Sequence, residues 1–104
     1  GPAAERLSAA YRDWQNSLQT RLDYPETHMV LGGFALTLRN FDMASAAFGQ
    51  VTRLDPQRVD AWVMQIRIAA AQGQRARATQ LMQEAQSFLP DDPGLAQLRR
   101  DLGL

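Results

Sequence analysis

The sequence predicts an all-α fold of about six helices arranged as repeated helical hairpins, and three observations predict it. Apolar residues recur at helical spacing along nearly the whole chain. Sliding the chain by 34 residues lays Pro25 to Arg58 on Val59 to Asp92 without a gap. Turn-forming residues fall between the apolar stripes, at Arg39-Asn40-Phe41-Asp42, Asp55-Pro56, Gly73 and Pro90. Under the shift Ala35 meets Ala69, Ala44 meets Ala78, Phe48 meets Met82, Leu54 meets Phe88 and Pro56 meets Pro90. Small, large and turn positions therefore recur together, which two unrelated apolar stretches seldom do.

Each element follows from its own residues. Segment 3–24 holds a helix from Ala4 to Leu22, with Leu7, Ala10, Tyr11, Trp14 and Leu18 on one side. Stepping back one period sets Ala10 under Ala44, Trp14 under Phe48 and Ser17 under Val51, so this helix is expected to be the second member of a partial repeat, with Trp14 as a packing residue. The repeat at 25–58 opens with a helix carrying Met29, Leu31, Phe34, Ala35 and Leu38, which Asn40 is expected to end. Asp42 is expected to cap the next helix, running to Leu54 with Ala44, Ala47, Phe48 and Val51 on one face, and Asp55-Pro56 stops it because proline disfavours helix in the residue before it. The repeat at 59–92 follows the same plan, with Asp60 to Gln72 presenting Trp62, Val63, Ile66, Ala69 and Ala70, a break at Gly73, and Arg75 to Leu89 presenting Ala78, Leu81, Met82, Ala85 and Phe88. Segment 93–104 is a capping helix after Asp91-Asp92-Pro93, with Leu95, Leu98 and Leu102 to cover the last pair. Gly1-Pro2 is expected to be a protease-cleavage scar, and the chain a fragment of a longer one.

Composition narrows the function classes. The chain has 104 residues, 45% hydrophobic and 21% charged, with 11 basic and 11 acidic groups balancing to zero net charge. That is globular composition with one core, and it argues against a general polyanion or nucleic-acid binder. With no cysteine and one histidine, His28, thiolate chemistry and multi-histidine zinc sites are excluded, and no cofactor or metal is expected. No apolar run is long enough for direct membrane insertion. All the basic residues are arginine, a bias that suits an Arg-rich, high-GC bacterial genome. Arg75, Arg77, Arg99 and Arg100 lie close to Glu84, Asp91, Asp92 and Asp101, so a solvated, salt-bridged face is expected there. His28, beside Glu26 and Asp23, is expected to pack between helices with one nitrogen bonded locally, and no spacing singles out a catalytic residue.

These residues resemble the tetratricopeptide repeat, a helix-turn-helix unit of the same period. The first unit has Leu31-Gly32 at that family's Leu-Gly pair, Ala44 and Phe48 at its small and large second-helix positions, and Leu54-Asp55-Pro56 at its terminal turn. The second has Trp62, Ala78, Met82, Ala85 and Pro90, but departs at Gln65-Ile66, where Leu-Gly is expected, and Ala35 and Ala69 replace the usual tyrosine. The resemblance implies a right-handed α-α superhelix whose first helices line a concave groove. It also implies a non-enzymatic scaffold for protein-protein interaction. The lining would be Glu26, Met29, Gly33, Leu36 and Thr37 from the first unit and Asp60, Val63, Arg67, Ala70 and Ala71 from the second. Because Met29 and Gly33 stand where a carboxylate clamp needs polar groups, the expected partner is an apolar peptide or an amphipathic helix, with Glu26 and Asp60 as an acidic rim favouring a basic flank on it. Self-association through bare edges is the alternative, as a homodimer or by helix swapping. The helix ending in Ser17-Leu18-Gln19, followed by Tyr24-Pro25-Glu26-Thr27-His28, is also similar to domains of this family in bacterial periplasmic multihaem cytochrome-like proteins. That likeness implies an accessory role in a larger redox protein and leans toward the periplasm over the cytoplasm, although no haem-attachment motif is present.

Overall fold

The computed structural model describes the backbone of residues 1–104 and the side chains of residues 1–17 and 23–104; Leu18, assigned above to the apolar side of the first helix, and Gln19 lie outside the described side chains. The fold is all-α, with six helices: α1 (Pro2–Leu22), α2 (Pro25–Thr37), α3 (Phe41–Leu54), α4 (Val59–Ala71), α5 (Arg75–Phe88) and α6 (Pro93–Leu102). The offset seen in the sequence is also the spacing of the helices: α2 and α4 start and end 34 residues apart, as do α3 and α5, and α6 starts 34 after α4. Helix α1 departs from this register, because it continues to Leu22 where the equivalent helices carry Pro56 and Pro90 just beyond their ends.

The turn between α2 and α3 differs from the expected one. Arg39, not Asn40, takes the left-handed conformation after α2, at φ 56°, and its equivalent one period on is Gly73 at φ 72°. Asn40 instead caps α3, its side chain accepting from the Met43 amide at 3.2 Å, so Asp42 lies inside the helix. At the last helix Asp92 caps as the sequence suggested, accepting from the Leu95 amide at 2.9 Å.

Two hairpins, α2–α3 and α4–α5, are joined through α3 and α4, and α6 lies against α4 and α5. Equivalent positions are equally buried: Ala44 and Ala78 at 0%, Phe48 at 2% and Met82 at 1%. In place of the single core expected from the length, the stacked hairpins bury two clusters, of which one joins Ala35, Ala44, Phe48 and Val51 to Ala61 and Ile68 of α4. The other joins Trp62, Ile66, Leu81 and Met82 to Leu95 and Leu98 of α6, each large side chain contributing about 1.5–3 kcal/mol. Gly32 is what lets Phe48 in, since a Cβ there would lie 2.7 Å from the ring. The second unit fills the matching space differently, with buried Ile66 and the more adaptable Met82. Leu54 and Phe88, expected on the packed face, are 39% and 47% exposed, and Phe88 stacks on Trp62 with ring centroids 6.1 Å apart.

Gln65 explains the departure from Leu-Gly. It is 3% exposed and its amide donates to Thr52 Oγ1 at 3.0 Å, Phe48 O at 3.3 Å and Ala61 O at 3.2 Å, tying α4 to α3. A buried polar side chain with its hydrogen bonds met costs little and fixes the register of the two helices.

Helix α1 stands away from this body. Every described side chain on it is exposed, including Leu7 at 73%, Tyr11 at 58% and Trp14 at 57%. Trp14 is therefore not the packing residue expected from its alignment with Phe48; among the described residues it stacks on Tyr11, with centroids 6.0 Å apart. The projecting helix stretches the molecule to 66 × 30 × 19 Å and its radius of gyration to 18.1 Å, against about 13 Å for a compact chain of this length.

Candidate interaction surface

The residues expected to line the groove divide into two sets. Glu26, Gly33, Thr37, Asp60, Arg67 and Ala71 are exposed, and on each helix they form one strip at helical spacing. Met29, Leu36, Val63 and Ala70 are half-buried, Met29 and Leu36 against the core that includes Ile68, Val63 and Ala70 against the core that includes Trp62. Much of the apolar surface counted toward a groove is thus already spent inside the fold. The acidic rim is also engaged. Arg58 donates from both terminal nitrogens to the Glu26 carboxylate, and its Nε lies 3.4 Å from Asp60 Oδ1. The hydrogen bond from Arg58, and secondarily its charge, hold the Glu26 carboxyl below its ordinary range. The expected attraction for a basic ligand is met instead by an internal arginine.

Two clefts lie beside this strip. One of about 450 Å³ runs between α3 and α5 over α4, lined by Arg53, Trp62, Gln65, Arg77, Glu84 and Phe88 among others. Another, of about 380 Å³, sits where α6 meets α4 and α5 and includes Ala70. The arginine-rich face near the C-terminus differs from the expected salt-bridged one. Arg99 donates to Gln86 Oε1 at 2.7 Å and Leu104 O at 3.2 Å, Arg100 to Gln97 Oε1 at 2.8 Å, and Arg75 to Gly103 O. Arg75 and Arg99 there hold Gly103 and Leu104 by their backbone oxygens. Among the described residues the ion pairs are those of Arg58.

An apolar surface lies open on the flank of α2 turned away from its buried Gly32 and Ala35. Val30 is 71% exposed, Leu31 46%, Phe34 64% and Leu38 63%. Their spacing places them on one helical stripe. Three of these four positions are covered later in the chain, whereas Gln72, equivalent to Leu38, is exposed. Ile68, equivalent to Phe34, is 4% exposed; Gln65, equivalent to Leu31, is 3% exposed; and Leu98, two periods after Val30, is also 3% exposed. On α4 that face is covered by α3, and on α6 by α5. On α2 no helix covers it. Composition did not reveal this, because an apolar stripe on a helix reads as core whether or not a neighbour is present; only the comparison of equivalent positions separates the two.

His28 lies at one end of this flank. Its equivalent, Trp62, donates from Nε1 to Pro56 O at 2.9 Å, a carbonyl in the α3–α4 connection. His28 Nε2 is buried and has no hydrogen-bond partner among the described residues. The α1–α2 connection, which would supply the matching carbonyl, is only Asp23-Tyr24, two residues against the four of 55–58. Among the described residues no group of three or more His, Asp or Glu is placed to hold a metal, and no helix is long and apolar enough to cross a membrane. Comparison of the chain with family models, with curated proteins and with solved structures gives no match.

Proposed function

We propose that this chain is a non-enzymatic interaction module of tetratricopeptide type that receives an amphipathic helix, and that the α2 flank is its principal docking face. The observation that supports this reading is the exposure of Val30, Leu31 and Phe34 at positions whose equivalents on α4 or α6 lie under a neighbouring helix, with Leu38 extending the same open stripe. A face built to be covered by a helix and left open is a helix acceptor: its shape is set by the rigid α2–α3 pair, and desolvating it returns free energy without leaving polar groups unmet. The concave strip of Glu26, Met29, Gly33, Leu36, Thr37, Asp60, Val63, Arg67, Ala70 and Ala71 is the lesser surface, because its apolar members are half-buried and its carboxylates are taken by Arg58. Burying about 300 Å² of the flank contributes on the order of 7 kcal/mol before ordering costs, which fits micromolar binding.

The test uses a labelled peptide of residues 41–54, the helix that covers the matching face of α4, titrated with the chain and followed by fluorescence anisotropy. Saturable binding that Phe34→Asp abolishes and Arg67→Glu, on the exposed part of the concave strip, leaves intact is expected. The reverse pattern would assign the concave strip, and no binding by a chain with a vacant flank would remove the docking reading altogether.

A further inference from the structure

We propose that the occupant of the α2 flank is helix α1 of a second copy of this chain, exchanged reciprocally about a two-fold axis. This rests on the reading of the flank as a helix acceptor and names what it accepts.

Four observations converge on α1. First, its own apolar stripe, Leu7, Tyr11 and Trp14, is as open as the flank itself, so one chain carries two uncovered apolar faces of similar length. Second, Ala10 and Trp14 occupy the register of Ala44 and Phe48 on α3 and of Ala78 and Met82 on α5. Those are the two helices that cover the matching face of α4 and α6. Third, α1 does not reach its own flank. Leu22 stands where Pro56 and Pro90 follow the ends of α3 and α5, the helix runs on through it, and the connection shrinks to Asp23-Tyr24 where the later ones have four residues, 55–58 and 89–92. A long helix that stands clear of its own flank on a connection shorter than the later ones is the geometry of an exchanged arm. Fourth, the area suffices. The exposed parts of Leu7, Tyr11, Trp14, Val30, Leu31, Phe34 and Leu38 amount to roughly 800 Å² per seat, and two seats reach the roughly 1,600 Å² of a standard specific interface. The exchange is isologous, each α1 lying on the other copy's α2, so it closes at two chains and leaves no free edge of the same kind.

The test follows the 104-residue chain by sedimentation velocity and tryptophan emission over a concentration series. Trp62 is already buried at 4% exposure, so a change in emission reports Trp14. The expected result is a monomer-dimer shift with a blue shift of Trp14 in step with it. Leu7→Asp and Phe34→Asp alter side chains exposed in the single chain, so each leaves the helical body folded, and each weakens association by about 100-fold or more. Mixing the two variants restores part of the association, because the mixed dimer holds one intact seat, the α1 of the Phe34→Asp chain on the α2 of the Leu7→Asp chain. A monomer at every concentration with Trp14 exposed overturns the proposal. So does a monomer with shielded Trp14, which would mean that α1 folds back within its own chain, and so does a dimer indifferent to Phe34→Asp. If the Leu7→Asp chain binds the 41–54 peptide while the unaltered chain proves monomeric, the flank remains a helix acceptor and only its assigned occupant is lost. If the Leu7→Asp chain binds nothing, the acceptor reading fails with it.

Discussion

Gly32 and Gly33 are neighbours on α2 that should respond oppositely to the same substitution. Alanine at either position removes backbone freedom from the unfolded chain and raises helix propensity, worth about 0.5–1 kcal/mol in an exposed helix. At Gly33 an added Cβ meets nothing within 4 Å, so the whole gain should appear as stability. At Gly32 the same Cβ lies 2.7 Å from two atoms of the Phe48 ring and 2.9 Å from a third. The ring cannot swing aside, because Phe48 is 2% exposed in a core with Ala35, Ala44, Val51 and Ala61. Overpacking of this kind costs about 1–3 kcal/mol, which outweighs the propensity gain. Gly33→Ala should therefore stabilise by about 0.5–1 kcal/mol and Gly32→Ala destabilise by about 1–2 kcal/mol, a separation of several degrees in Tm for a domain of this size. Urea unfolding followed by circular dichroism measures both, and Phe48→Leu in the Gly32→Ala background should recover part of the loss, since the two sites are in contact. If Gly32→Ala proves as stable as Gly33→Ala, the close approach of α2 and α3 at Phe48 is not what this glycine serves.

Three further perturbations follow from local geometry. Arg39→Gly should stabilise by about 0.5–1 kcal/mol by relieving the left-handed backbone, while Gly73→Ala at the equivalent site destabilises by about 1 kcal/mol; thermal melts that show the same sign for both would contradict the turn geometry. Gln65→Ala should cost about 2–3 kcal/mol in chemical denaturation, because it opens space between α3 and α4 and leaves Thr52 without its buried donor; a change below about 0.5 kcal/mol would mean the network contributes nothing. Because Glu26 has its pKa lowered in the folded chain, its stabilising contribution is present above the ordinary glutamate pKa of the unfolded chain and is lost as pH falls through the lower folded value. Arg58→Ala should shift the Glu26 titration upward when followed by carboxyl NMR, and an unmoved midpoint would show that the pair does not persist in solution.

Period and hydrophobic spacing made α2 to α6 legible, because the residues that set helix ends and interior contacts recur at a fixed interval: Ala44 with Ala78, Phe48 with Met82, Pro56 with Pro90. The position of α1 was not legible. Trp14 aligns with Phe48, but alignment reports what a side chain could pack against, whereas its exposure depends on the connection at Asp23-Tyr24, where a missing proline lets the helix run on. The groove fared similarly. Helical phase placed Glu26, Asp60 and Arg67 on the solvent side, yet phase alone could not show that Arg58, outside the strip, would engage both carboxylates. Gln65 looked like a defect in the repeat because its partner Thr52 lies on another helix, and pairing across helices has no signature in local spacing. The α2 flank became visible only when three equivalent helices could be compared for burial.

Backbone amide NMR of the Leu7→Asp chain, titrated with the 41–54 peptide, tests the docking reading most directly. The account predicts shift changes that saturate together and cluster at Val30, Leu31, Phe34 and Leu38. Changes centred on Arg67 and Ala71, or on Arg53 and Arg77 in the cleft between α3 and α5, would contradict it.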